Sequence, residues 1–233
     1  MLAFLNHRGD TLASSRRILD IGCGTGKQLA ANRQHLPGLA MVGVDRFEGM
    51  LRIARKRYPE LAWIQADGAA LPLLSQICDY ATSQFSYPHV RNPHRLLEEV
   101  FRVLKPRGRF VMTNIDPWSM LGWAIYRYFP EALTLDQQDF LPVERFVGLM
   151  QDTGFRDVGA RRESRPSREN LHEFLEFASA RHRASQLMAI SDQAYAAGLR
   201  RLEEDIAKDP PGASTPLASE FVLVTVTGDK APL

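Results

Sequence analysis

From Ile18 to Gly26 the chain reads Ile-Leu-Asp-Ile-Gly-Cys-Gly-Thr-Gly, an apolar run with one acid that breaks into three alternate glycines. Lys27 to His35 then reads as a helix. A buried strand, a tight turn and a helix start are how open α/β sheets present backbone to a ligand. Glycine serves such a turn because it reaches positive φ and lets a ligand approach the main chain. Two phosphate-binding patterns fail here. The dinucleotide fingerprint G-x-G-x-x-G starting at Gly22 needs glycine where the chain has Lys27. The P-loop pattern needs glycine at Ile21 and a hydroxyl at Gln28. What remains is D-x-G-x-G-x-G, with Asp20 two residues before the first glycine. An acid there repels a pyrophosphate and suits a ligand that carries an ammonium or a sulfonium. A turn with a purely structural role is the competing reading.

The alternation continues along the first half. Strands are expected at Arg17 to Ile21, Leu39 to Val44, Leu61 to Gln65, Ile77 to Ser83 and Arg109 to Asn114. Helices are expected at Lys27 to His35, Phe47 to Tyr58, and after Asn92-Pro93, where Leu96, Leu97, Val100, Phe101 and Leu104 keep a 3.6-residue period. Pro37-Gly38 and Lys105 to Gly108 read as turns. Strands that alternate with helices imply a parallel sheet with right-handed crossovers. The second half is less regular. Asp116 to Phe129 is aromatic-rich and helical in pattern, and Pro142 to Thr153 reads as a helix before a strand at Phe155 to Arg162. Asn170 to Arg181 and Arg183 to Lys208 each carry one apolar helical face, Pro210 to Pro216 reads as a loop, and Glu220 to Thr227 as a last strand. The first 15 residues are weakly patterned, a helical turn or a frayed end.

Charge narrows the partners. With 29 basic and 27 acidic residues the chain offers no general affinity for nucleic acid, so none is expected, and the basic clusters at Arg52 to Arg57 and Arg161 to Arg168 read as solvated faces. Two cysteines far apart, Cys23 and Cys78, fit a reducing compartment, and a cytoplasmic protein is expected. Met1 to Asp10 lacks the pattern of a signal peptide, no apolar run is long enough for a membrane span, and the six histidines show no metal-ligand spacing, so no metal is expected.

Acids end or follow three successive expected strand regions: Asp20, Asp45 and Asp67. Gathered at one rim, they call for a ligand with a diol, an amino group and a positive charge. Five stretches occur in order: I-L-D-I-G-C-G-T-G, V-G-V-D-R-F-E-G-M-L, A-D-G-A-A-L-P-L, C-D-Y-A-T-S and L-L-E-E-V-F-R-V-L-K-P-R-G-R-F-V-M. In these the chain resembles the class I S-adenosylmethionine-dependent methyltransferases, in the small-molecule branch that includes ubiquinone and menaquinone biosynthesis enzymes. The resemblance implies an α/β, Rossmann-like, seven-stranded and mainly parallel sheet with one antiparallel strand, plus a helical insertion.

It also implies a site. Asp45 would take the ribose hydroxyls, with Arg46 beside it, and Asp67 would accept from the adenine amino group near the Gly68 backbone. Gly22, Gly24 and Gly26 would lie against the methionine part, with Asp20 holding that turn. Met50 would touch the adenine or belong to the core. Ser83 and Gln84 would face the amino-acid end and the donor methyl. Tyr87 and His89 are the candidate bases, needed only if the acceptor must lose a proton. Arg107 stands where the family usually has glycine, and Phe47 where a small polar residue is common.

The implied activity is methyl transfer to a small, apolar or aromatic metabolite. A non-catalytic S-adenosylmethionine or S-adenosylhomocysteine binding protein is the rival, and a nucleotide-dependent dehydrogenase a weaker one. Three segments are expected: a methyltransferase core over 1–163 that includes the aromatic helical segment 116–141, a helical insertion over 164–218, and the last core strand over 219–233. Sixteen residues precede the first strand, fewer than this branch usually has, so the insertion is expected to serve as a lid. The alternative is that its helices pad an edge or form a homodimer contact.

Overall fold

A computed structural model describes residues 16–36, 38–166, 169–208 and 215–232. The N-terminal turn expected within 1–15, Pro37 of the first turn and most of the loop expected at Pro210 to Pro216 lie outside them. Seven strands form one sheet: β1 (Arg17–Ile21), β2 (Ala40–Asp45), β3 (Ala62–Gln65), β4 (Cys78–Gln84), β5 (Leu104–Ile115), β6 (Arg156–Pro166) and β7 (Glu220–Asp229), in the order β3-β2-β1-β4-β5-β7-β6. β1 pairs in parallel with β2 and with β4, as β2 does with β3 and β4 with β5. Ile18 and Leu19 are wholly buried, as a strand covered on both faces requires. The strand order reverses between β1 and β4, and the carboxyl ends there form the crevice where such sheets bind ligands.

β7 runs antiparallel to β5. Arg107 N–H donates to the Lys230 carbonyl near one end (2.9 Å) and Asp116 N–H to the Val222 carbonyl near the other (3.0 Å). The Arg109 guanidinium grips Asp229 with two parallel bonds of 2.7 and 2.8 Å, which pins the register.

The helices are α1 (Lys27–His35), α2 (Glu48–Arg57), α3 (Pro93–Val103), α4 (Ala124–Tyr128), α5 (Pro130–Asp139), α6 (Val143–Thr153), α7 (Leu171–Ser179), α8 (Ser185–Ala189) and α9 (Asp192–Ile206). α3 starts as its sequence requires: Pro93 opens the helix and the Asn92 side chain accepts from Arg95 N–H at 3.1 Å.

The chain divides into two compact units. The first holds the residues up to Asn114, Val143–Arg161 and the chain from Val224. The second holds Ile115–Pro142 and Arg162–Leu223, so the aromatic segment and the helices of the insertion belong to one unit. Its core gathers Tyr128, Phe129, Phe174, Leu187 and Leu202. A β-carbon on Gly198 of α9 would lie 2.1 Å from Phe129 Cδ1, so glycine there admits the ring.

Three expectations are corrected. Lys105 to Gly108 is drawn into β5 rather than a free turn, because Gly108 and Arg107 bond to Lys230. The left-handed φ of +64° at Arg107 and a register shift between Cys78 and Tyr80 mark the irregularity. The helix expected from Arg183 to Lys208 is two, because Ser191 caps a new one by accepting from Ala194 N–H at 3.2 Å. The segment from Asp116 forms turns before its short helix α4.

Candidate active site

The glycine turn leaves β1 through three left-handed residues, Gly22 (φ +73°), Gly24 (φ +53°) and Gly26 (φ +76°). Gly22 N–H and Cys23 N–H both donate to the Val44 carbonyl, at 2.8 and 3.0 Å, which ties the turn to the end of β2. A β-carbon on Gly22 would lie 2.2 Å from Ser86 Cβ. Ser86 is held there because its hydroxyl donates to the Ile21 carbonyl (2.9 Å) and shares a 2.7 Å bond with the Ser83 hydroxyl. A β-carbon on Gly24 would meet nothing within 4 Å. That open space belongs to a cavity of about 310 Å³, lined by the glycine turn, the end of β2 with Arg46, Phe47 and Met50, Ala66 to Gly68, and the turn after β4.

Asp45 is the centre of this rim. It is 8 % exposed, and its two oxygens accept from Gly24 N–H (2.8 Å) and Phe47 N–H (2.9 Å). An ionised carboxylate offers about four lone-pair sites, so about two remain for ligand hydroxyls. Asp67 is exposed at the end of the β3 segment, where its Oδ1 accepts from Ala69 N–H at 2.9 Å. Gly68 lines the cavity beside it.

Asp20 lies beneath the turn, 3 % exposed, with Thr82 Oγ1 donating to it at 2.7 Å. Burial pushes its carboxyl up to about 6; the Thr82 bond opposes this and the nearby Asp45 charge adds to it. A cation over the glycine turn would favour the ionised form of Asp20. The Cys23 thiol is pushed up by burial and by the charges of Asp20 and Asp45, so it stays a thiol.

Of the sequence-derived residues, Gly22, Gly24, Asp45, Arg46, Met50, Asp67, Gly68 and His89 line the cavity. Asp20, Gly26, Ser83, Gln84 and Tyr87 are not among its lining residues. Gly26 has a packing role: a β-carbon there would lie 2.4 Å from Trp63 Cη2. Ser83 is buried against Ser86. Tyr87 is 3 % exposed, and its ring packs on Phe146 with centroids 4.9 Å apart. His89 ends the same short turn and lines the cavity, and its carbonyl accepts from Arg46 Nη1 at 3.3 Å.

The sequence reading missed Phe85, Ser86 and Val90 as wall residues. Phe85 adopts a left-handed φ of +50° and is half exposed. A bulky residue in that region is strained, which no spacing rule signals.

These residues fit S-adenosylmethionine. Two carboxylates stand where hydroxyl and amino donors can meet them, the turn leaves room above Gly24, and the walls of Ile21, Val44, Phe47 and Met50 are apolar.

Comparison with known proteins agrees. Residues 19–112 match the family described as Methyltransferase domain. The chain is 34% identical over 167 residues to the demethylmenaquinone methyltransferase of Thermus thermophilus, covering 60% of this chain and 74% of that protein. A structure described as a methyltransferase from an antibiotic biosynthesis pathway of Anabaena variabilis superposes with a TM-score of 0.70 at 21% identity, over 95% of this chain and 94% of that one. Phosphoethanolamine N-methyltransferase 2 of Haemonchus contortus, solved with phosphomonomethylethanolamine and S-adenosylhomocysteine, gives a TM-score of 0.62 at 22% identity over 99% of this chain. This chain spans 52% of that one, about half its length. At these identities the two structures speak for the fold alone. With five motifs in order on this sheet and the Thermus relative beside them, the chain belongs to the class I S-adenosylmethionine-dependent methyltransferases.

Proposed function

We propose that the methyl acceptor is a small, largely apolar or aromatic metabolite, with a quinol-like ring as the leading class. The observation that carries this reading is the part of the cavity wall after β4, apart from the side of Ile21, Val44, Phe47 and Met50 that suits the donor: there Phe85 and Val90 are apolar, beside Ser86 and His89. The Thermus relative, a demethylmenaquinone methyltransferase, supports the quinol-like class.

S-adenosylmethionine supplies an activated methyl on a sulfonium, and the protein's share is to align, enclose and adjust charge. Asp45 would bind the ribose hydroxyls, its carboxylate fixed in place by Gly24 N–H and Phe47 N–H. Asp67 would hold the adenine amino group. Asp20, ionised beneath the turn, would favour positive charge above it. Alignment of donor and acceptor can supply on the order of 7–11 kcal/mol of the barrier. If the acceptor must lose a proton, His89 is the residue of the original pair that faces the cavity. Tyr87 instead sets the turn that carries it, through its packing on Phe146. Cys23 and Cys78 are free thiols, which supports a reducing, cytoplasmic setting.

The test is transfer of labelled methyl to a panel of quinols, phenols, terpenoids and polar amines. Transfer to ring or isoprenoid acceptors is expected, and turnover confined to polar amines would refute the acceptor class. Asp45→Ala should weaken S-adenosylhomocysteine binding roughly tenfold or more, measured by calorimetry on folded protein. His89→Ala should keep that affinity and lower kcat where a proton must leave.

A further inference from the structure

Helix α2 leaves the end of β2 at the cavity mouth and carries the basic cluster set aside above as a solvated face. Its inner side is Leu51 and Ala54, both wholly buried. At 100° per residue, Arg52, Ile53 and Lys56 fall on the opposite side, with Arg57 on its flank. All four are exposed, Ile53 by 41 %. Phe47 and Met50, at the start of the helix, are 54 % and 44 % exposed and also line the cavity. Residues 46–57 contain five basic side chains and one acid, Glu48, in a chain whose net charge is only +2. Glu48 is taken by Arg55 at 2.6 Å. Arg52, Lys56 and Arg57 have no acidic partner among the described residues.

We propose that α2, together with Arg46 and Phe47, is a docking surface for an anionic lipid bilayer. Charge and apolarity are interleaved on one exposed face. Basic side chains of this kind hold their heads at the level of lipid headgroups, while exposed apolar residues between them enter the acyl boundary. A purely solvated face has no use for Ile53, 41 % exposed among these cations, with Met50 at the cavity rim beside it. A nucleic-acid surface has use for the arginines and none for Ile53 or Met50. Because Phe47 and Met50 belong both to this face and to the cavity wall, docking brings the cavity mouth to the membrane.

The test uses the full chain without any methyl acceptor, so its failure is separate from failure of the acceptor reading. Flotation with vesicles of equal parts phosphatidylglycerol and phosphatidylcholine should carry the protein upward, and vesicles of phosphatidylcholine alone should not. Binding should fall steeply as salt shortens the Debye length from about 10 Å to about 3 Å. The triple variant Arg52→Glu, Lys56→Glu, Arg57→Glu should bind at least roughly tenfold more weakly, since each cation near an anionic surface contributes. Ile53→Ser should bind several-fold more weakly at unchanged charge. S-adenosylhomocysteine affinity and the melting temperature show that each variant is folded. The proposal is overturned if the wild-type protein ignores anionic vesicles, if the triple variant binds them undiminished, or if duplex DNA competes the protein off the vesicles at low concentration.

Discussion

Gly22 and Gly198 are packed equally tightly, one in each unit, and for different ends. A β-carbon on Gly22 would lie 2.2 Å from Ser86 Cβ, and one on Gly198 would lie 2.1 Å from Phe129 Cδ1. Gly22 needs its left-handed φ as well, because it turns the chain at the carboxyl end of a buried strand. Gly198 sits inside a helix and only makes room for a ring. In the first unit close packing serves a rim of backbone that faces a ligand. In the second it serves a core of side chains. The difference predicts that damage to the second core should spare donor binding, while damage to the glycine rim should not.

The largest expected effect tests that separation. Phe129 is wholly buried and stacks on Tyr195 at 5.9 Å. Phe129→Ala should cost about 3–5 kcal/mol of the stability of the second unit, read from urea unfolding. S-adenosylhomocysteine affinity should stay within about twofold, less than the tenfold that corresponds to 1.4 kcal/mol. If the second unit serves the acceptor step, as a lid would, methyl transfer falls while donor binding holds. Loss of donor binding in step with stability would break the comparison.

Two buried aspartates sharpen it. Asp20 in the first unit has a hydroxyl partner and a like charge nearby, and its carboxyl rises to about 6. Asp116 in the second is as deeply buried but is met by Arg162 Nε at 2.6 Å, the Ser119 hydroxyl at 2.6 Å and Trp118 N–H at 3.2 Å. The folded state binds the Asp20 proton more tightly than the unfolded chain does. Stability therefore falls as pH rises between about 4 and 6, and the penalty is constant above that range. Asp20→Asn should match the wild type near pH 4 and be more stable at pH 8, by on the order of 1–3 kcal/mol. Asp116→Asn should lose about 1–3 kcal/mol at pH 8, since it gives up a charge-assisted bond. Urea midpoints at both pH values measure each effect, and the same sign for the two variants would erase the distinction.

The two units were also unequally legible in sequence. In the first, each clue was local. Alternate glycines after an apolar run placed the turn, and an acid about 20 residues later placed Asp45. Asn92-Pro93 placed the start of α3. What escaped was long-range: Trp63 covering Gly26, and Ser86 seated on Gly22. Neither can be seen in spacing, because each joins residues brought together only by the sheet. Tyr87 sat beside His89 in the sequence, yet one faces Phe146 and the other the cavity. In the second unit the apolar faces of α7 and α9 were visible. The helix Pro130–Asp139 was legible only as part of a helical segment over 116–141, without ends of its own, and the cap at Ser191 was hidden inside a longer apolar period.

The smallest expected effect asks whether the units unfold as two bodies. Among the described residues, each has one helix with an asparagine cap. In the first, Asn92 accepts from Arg95 N–H at 3.1 Å. In the second, Asn170 accepts from Glu173 N–H at 2.9 Å while Glu173 returns a bond of 2.9 Å to Asn170 N–H. Replacing either by alanine should cost about 1 kcal/mol. Tryptophans report on the units separately, Trp63 on the first and Trp118 and Trp123 on the second. S-adenosylhomocysteine at about 100 times its Kd should add about 2.7 kcal/mol to whatever unfolds with the cavity. Because the second unit has its own buried core, two transitions are expected: one raised by the ligand and lowered by Asn92→Ala, the other indifferent to the ligand and lowered by Asn170→Ala. In the parent and in a Trp63→Phe variant, fluorescence should assign each transition to its unit. Equal shifts of a single transition by both cap variants would mean that β5, β6 and β7, which the boundary between the units cuts, couple the two halves into one cooperative body.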